Sequence, residues 1–214
     1  LFALQPDVAT AVGDHRHDGR WPDMGEAGHV ARLAFIDRWD ATLAGLDAVS
    51  MTADDQIDLD LVRGELASFR FAETDLREET WSPLLWVYLI GGGLHPLLAR
   101  DFAPLAERLT SFRGRLAGIP RLLDQAREVI GSHPTRPVAK LHAEVAARRI
   151  GGVAQLARDA VASAASAAAT DPDVAALLPS LRVAADGAAT ALEAMAGHLA
   201  REVVPNVSGP AELG

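Results

Sequence analysis

The sequence contains no cysteine in its 214 residues. That excludes disulfide staples and thiolate metal ligands, and it leaves the compartment open. Aromatic residues make up only 5% of the chain. Alternating β-branched and aromatic runs, which would signal half-buried strands, are nearly absent. Positive charge is scarce as well: 20 Lys and Arg stand against 29 Asp and Glu, for a net charge of −9 spread along the chain. That balance speaks against a nucleic-acid partner, which needs clustered cations for phosphate. No unbroken apolar run approaches the ~20 residues of a membrane-spanning helix. Trp81 to Ala99 carries no charged residue, but Pro83, Gly91-Gly92-Gly93 and His95-Pro96 interrupt it. A buried helix followed by a glycine hinge is expected there, and no membrane span.

Catalytic signatures are missing too. There is no His-Glu step, so the two-histidine, one-glutamate arrangement of a helical zinc peptidase site cannot form. No Gly-x-Ser-x-Gly elbow occurs, and the triple glycine lacks the lysine of a phosphate loop. The chain begins Leu1-Phe2-Ala3 and closes in loop-forming residues from Val207 to Gly214. A fragment or a processed chain is expected, and the localisation stays unassigned.

What is present is helix-forming. Hydrophobic residues are 49% of the chain, much of that alanine and leucine, which lose little side-chain entropy in helices. Periodicity and capping signals predict an all-α fold, a multi-helix bundle or array of antiparallel hairpins, over 1–214 with no confident internal boundary. A short helix is expected to about residue 12, with Pro6 early and Gly13 ending it. Val30, Leu33, Ile36, Trp39, Leu43 and Leu46 recur at steps of three and four, predicting a helix over about 25–48 with that stripe inward. Thr52 and Asp55 form an N-terminal cap for a helix to about 77. Pro83 to Ile90 predicts a short helix broken by the triple glycine. Leu105 to Ile130 predicts another, bent or restarted at Pro120. Val138 to about Ala169 predicts a helix with a bend at Gly151-Gly152, rich in Ala and Ser and useful only if a partner approaches closely. Asp171-Pro172 caps a last long helix with a kink at Pro179.

One loop carries candidate chemistry: Gly13-Asp14-His15-Arg16-His17-Asp18-Gly19-Arg20-Trp21-Pro22-Asp23. Three readings stand. It caps neighbouring helices; it contributes Asp14, His15, His17, Asp18 and Arg20 to a substrate cleft completed elsewhere; or His15 and His17 hold a metal of their own. No third histidine follows at a ligand-like distance, so no metal ligand and no catalytic residue is assigned.

That loop resembles the early G-x-H-x-x-D-x-R-x-x-D stretch of a large bacterial family, domain of unknown function 885. Leu46 to Asp54, Asp58-Leu59-Asp60-Leu61, Pro83 to Tyr88, Glu107 to Arg127 and Leu199 to Pro205 are similar to the same family in the same order. The resemblance implies the front half of a larger helical, zinc-metallopeptidase-like fold. It implies zinc and a His-Glu-x-x-Pro-Gly-His segment in a C-terminal catalytic half that these residues do not include, and a peptide substrate. The chain is then expected to form part of a cleft while catalysing nothing alone, with no cofactor of its own. The alternative is a stand-alone helical binding or scaffold protein. That alternative predicts a closed bundle with no large exposed apolar face.

Overall fold

The structure is a computed structural model and describes residues 1–210, so the last residues of the expected terminal loop lie outside it. Among the described residues there are helices and turns and one isolated bridge, Ala139 to Gly209, but no strand. The all-α expectation holds.

Four helices form the core. They are α5 (Pro83–Ala99), α6 (Leu105–Val129), α7 (Lys140–Ala167) and α8 (Pro172–His198). α8 packs against both α6 and α7, and α5 packs against the same two helices. The shared core holds Trp86, Ile90, Leu94 and Leu97 of α5, Phe112, Leu116, Ile119 and Leu123 of α6, and Leu181, Leu192 and Met195 of α8. The buried face of α7 is largely alanine: Ala143, Ala146, Ala154, Ala157, Ala160 and Ala164, with Ile150 and Val153. α8 answers it with Ala185, Ala188 and Ala189. Methyl-sized side chains on both helices let them approach closely, which supplies the partner that the Ala-rich segment required. The link Ala168–Asp171 is short, as in an antiparallel helix pair. Asp171 starts α8 by accepting from the backbone N–H groups of Asp173 and Val174 at 3.0 and 3.2 Å.

A second pair lies outside this core. α2 (Glu26–Ala44) and α3 (Ala53–Phe71) pack on each other around a small cluster of Leu43, Leu59 and Leu66. Arg70 ties them by reaching Asp37 and Asp40 at 2.7 and 2.8 Å. Thr52 caps α3 through the Asp55 N–H at 3.2 Å, at the expected position. After α3 the chain widens into a π turn, Ala72–Leu76, which Arg77 ends with a left-handed φ of 42°. α4 (Glu78–Trp81) then leads into α5, while α1 (Pro6–Ala11) packs on α5 from the N-terminal side.

Several details differ from expectation. The stripe of α2 is not uniformly inward: Ile36 and Leu43 are buried, while Val30, Trp39 and Leu46 are exposed. This helix packs on α3 and on the π turn after it, and its first turns bury Arg32 and Gly28 instead. α5 runs unbroken through Gly91-Gly92-Gly93, α6 through Pro120, α7 through Gly151-Gly152 and α8 through Pro179. Burial of the flanking Trp86, Ile90, Leu94 and Leu97 outweighs the roughly 1 kcal/mol that each interior glycine gives up. Among the described residues no single helix is long and apolar enough to cross a membrane.

Candidate functional site

The loop from Gly13 to Gly25 lies across the groove between α5 and α6, and glycines make room for it. A Cβ on Gly93 would stand 2.3 Å from the Trp21 ring, and one on Gly118 would stand 2.8 Å from it. A Cβ on Gly114 would meet the Gly19 carbonyl at 2.8 Å. Gly114 and Gly118 are one helical turn apart, so they open one continuous strip of α6. The Trp21 indole is then fixed by its N–H donating to the Arg115 carbonyl at 2.7 Å.

Arg115 holds the loop from beneath. It is fully buried. Its Nε donates to the Arg20 carbonyl at 3.2 Å, and Nη1 donates to the Gly93 carbonyl. Nη2 donates to the Pro6 carbonyl at 3.1 Å and to Thr10 Oγ1 at 2.6 Å. The guanidinium also sits over the Trp21 ring, 5.3 Å from its centroid. Burial pulls its pKa down from the usual range, and the charges of Asp18 and Asp7 oppose that shift.

Thr10 passes the contact on, donating to Asp18 Oδ1 at 2.6 Å. Asp18 is only 3% exposed, and its other oxygen pairs with His15 Nδ1 at 2.8 Å. The His15 ring stacks on Phe102, centroids 3.6 Å apart and planes 5° from parallel. Asp14 accepts from the Arg16 N–H and guanidinium, and that cation holds its carboxyl far below the usual carboxylate range. Of the five sequence-derived candidates, His15 and Asp18 therefore sit in a network that fastens the loop, and Asp14 caps the turn His15–His17. His17 is not among the residues lining the cleft beside this loop, whereas Arg20 is.

That cleft has a volume of about 460 Å³. This is within the roughly 300–1,000 Å³ usual for small-molecule sites. It is lined by Gly114 and Gly118 of α6, by Trp21 and Pro22 of the loop, and by Ala27 and Ala31 of α2. Arg20 and Arg121 line it as well. Asp23 and Gln125 lock the loop to α6: Gln125 Nε2 donates to Asp23 Oδ1 at 2.6 Å, and its Oε1 accepts from the Met24 N–H at 3.2 Å. Arg32 fixes α2 to the same loop, donating to the Asp23 carbonyl at 2.6 Å and pairing with Glu73 of the π turn. Glu73 also meets His29 at 2.8 Å. Gly28 is required at this crossing, because a Cβ there would be 1.8 Å from the Asp23 carbonyl.

Trp21, Asp23, Arg115, Arg121 and Gln125 were not among the candidates. Their signal lay in the two resembling segments, 13–23 and 107–127, which are far apart in sequence and meet here.

One other pair fails a chemical test. Ser82 Oγ lies 3.0 Å from His142 Nδ1, but Ser82 is buried and His142 stacks on Trp81, so the pair packs rather than reacts. Among the described residues, no three His, Asp or Glu side chains converge as a metal requires. These residues do not fit the zinc that the resemblance implies, and no step through zinc can be assigned to them.

The geometry defines an all-α array with a cationic, tryptophan-walled cleft. The chain belongs to the family described as bacterial protein of unknown function (DUF885), whose profile matches residues 6–212. No curated protein matches it. It is similar to the solved "putative lipoprotein of unknown function from Shewanella oneidensis", with a TM-score of 0.79 and 24% sequence identity over 97% of this chain. The chain spans 37% of the length of that protein. At this identity the likeness speaks for the fold alone.

Proposed function

We propose that the chain is the cleft-forming helical region of a zinc-metallopeptidase-like hydrolase, that its cleft takes up peptide, and that the bond-breaking groups belong to other polypeptide. The observation that carries this reading is the cleft of about 460 Å³, assembled from two separate segments that resemble the same family. Two further features support it. The chain matches 37% of a longer solved relative in fold, so its residues have structural neighbours beyond themselves in that protein. The outer face of α3 presents Ile57, Leu61 and Phe71 at steps of four and ten residues, 59%, 63% and 54% exposed, opposite the Leu59 and Leu66 that face α2. A closed scaffold would cover such a row, so it weighs against the stand-alone alternative.

Calorimetry of the 214-residue chain with short end-blocked peptides tests the reading, with mass spectrometry of the peptide afterwards. Saturable binding without cleavage is expected. Ala31→Trp, at an exposed position on the cleft wall, should abolish that binding while leaving the helical signal unchanged. Binding that ignores Ala31→Trp, or no binding at all, removes peptide uptake from the account. Turnover by this chain with one bound zinc refutes the assignment of chemistry to other polypeptide.

A further inference from the structure

We infer that the cleft is a carboxylate-binding site, in which Arg20 and Arg121 hold a carboxylate of a peptide beside Trp21 and Pro22. The inference rests on the cleft reading above and names the chemistry it recognises.

Three arginines line the cleft: Arg20, Arg32 and Arg121. Arg32 is spent, with its Nε on Glu73 and its Nη1 on the Asp23 carbonyl. Asp23 is largely committed too, since Oδ1 accepts from Gln125 and from the Gly25 N–H. Arg121 approaches Asp23 Oδ2 only to 3.8 Å, and its side chain is 81% exposed. The Arg20 guanidinium has no hydrogen-bonding or ionic partner among the described residues, although its carbonyl is anchored by Arg115. Arg20 and Arg121 thus line the cleft with guanidinium groups that make no hydrogen bond among the described residues.

The charge balance selects the anion. Three arginines face the two carboxylates Asp23 and Glu73, leaving an excess of one positive charge in a chain whose net charge is −9. One extra negative charge is matched there, and a polyanion is repelled by the rest of the surface. Planar, forked guanidinium groups suit a planar carboxylate, which accepts two parallel N–H donors. The walls beside them are apolar: the Trp21 ring, Pro22, and the methyl groups of Ala27 and Ala31. A ligand carrying both a carboxylate and an apolar or aliphatic portion satisfies both surfaces.

The test is calorimetry on the intact chain with acetyl-alanyl-leucyl-alanine as the free acid, the same peptide as its C-terminal amide, and the amide carrying glutamate in the middle position. Inorganic phosphate is the fourth titrant. At least one carboxylate-bearing peptide should bind about tenfold or more tightly than the plain amide. Which of the two does so separates a terminal from a side-chain carboxylate. Affinity for that peptide should fall about tenfold in Arg20→Gln and a few-fold in Arg121→Gln, whose side chain is 81% exposed. It should be unchanged in Arg127→Gln, whose side chain pairs with Asp124 on the same helix. Equal affinity for acid and amide, both lost in Ala31→Trp, refutes the carboxylate assignment and leaves peptide uptake standing. Binding of phosphate alone refutes the assignment as well. Failure of every peptide to bind refutes both readings.

Discussion

Arg115→Met should loosen the whole N-terminal segment while the four-helix core stays folded. The side chain is fully buried and spans four acceptors on three stretches of chain: Pro6 and Thr10 of α1, Arg20 of the loop and Gly93 of α5. Its loss is not simply four charged hydrogen bonds at about 1.5–3 kcal/mol each. The Thr10 hydroxyl keeps Asp18, and the Pro6 and Gly93 carbonyls lie within the ladders of α1 and α5. The Arg20 carbonyl has no other donor among the described residues, and Asp18 keeps its buried charge while losing the nearby cation. Removing one member of a buried charged network in this way costs about 3–5 kcal/mol. A domain of this size has roughly 5–15 kcal/mol in total, so the variant folds but is weakened.

Urea unfolding should show that loss, and hydrogen exchange should place it. Amides from Asp7 to Met24 should lose protection, while those of α7 and α8 keep theirs until global unfolding. Arg115→Lys should recover less than half, because one ammonium cannot reach acceptors lying in several directions. A loss under about 1 kcal/mol, or protection that falls evenly along the chain, would refute the view that Arg115 fastens the cleft loop.

The triple glycine and Asp7 give two further predictions. Gly93→Ala should destabilise by about 1–3 kcal/mol by overpacking against Trp21, whereas Gly91→Ala and Gly92→Ala, which face open space, should stabilise by about 0.5–1 kcal/mol; thermal melts that rank the three alike would contradict the cradle. Asp7 lines a smaller cavity with Glu73 and Glu79, and burial raises its carboxyl pKa against the pull of Arg115. The folded chain therefore holds that proton more tightly than the unfolded one. Its contribution is present below the ordinary carboxylate range and is lost as pH rises through the raised value. Asp7→Asn should consequently be more stable than the natural chain at pH 7, with the advantage vanishing below about pH 4, and a variant less stable at pH 7 would contradict it.

Helices were legible wherever capping chemistry was local. Thr52 with Asp55, and Asp171 with Pro172, act within a single turn, so spacing alone predicts them. The triple glycine misled because propensity is a local quantity: α5 is held by residues on α6 and α7 that no local window contains. The stripe of α2 misled for a different reason. Periodicity identifies an apolar face but not whether anything covers it, and here half of it stays bare. Within the cleft, Arg20 was visible because it sits in a charged loop. Arg115 was not, since an arginine flanked by Gly114 and Leu116 reads as the polar side of an amphipathic helix until the loop lies over it.

The loop itself shows why a run of titratable residues is weak evidence for catalysis. Between Gly13 and Asp23 the chain spends His15 and Asp18 on a buried bond and a ring stack, Asp14 on a cap, and Asp23 on a lock to Gln125. Each of these uses a polar group to satisfy a backbone or side chain that folding has taken from water, which is the ordinary duty of buried polarity. Only Arg20 lines the cleft with its guanidinium left over. A spacing of G-x-H-x-x-D-x-R-x-x-D is therefore explained mostly by what the loop must grip: Thr10 and Phe102 on one side, α6 on the other. The consequence for recognition is specific. The fastened loop and α6 fix the backbone positions of Arg20 and Arg121, while both guanidinium heads stay free to settle, so a carboxylate orders two side chains on arrival but no backbone.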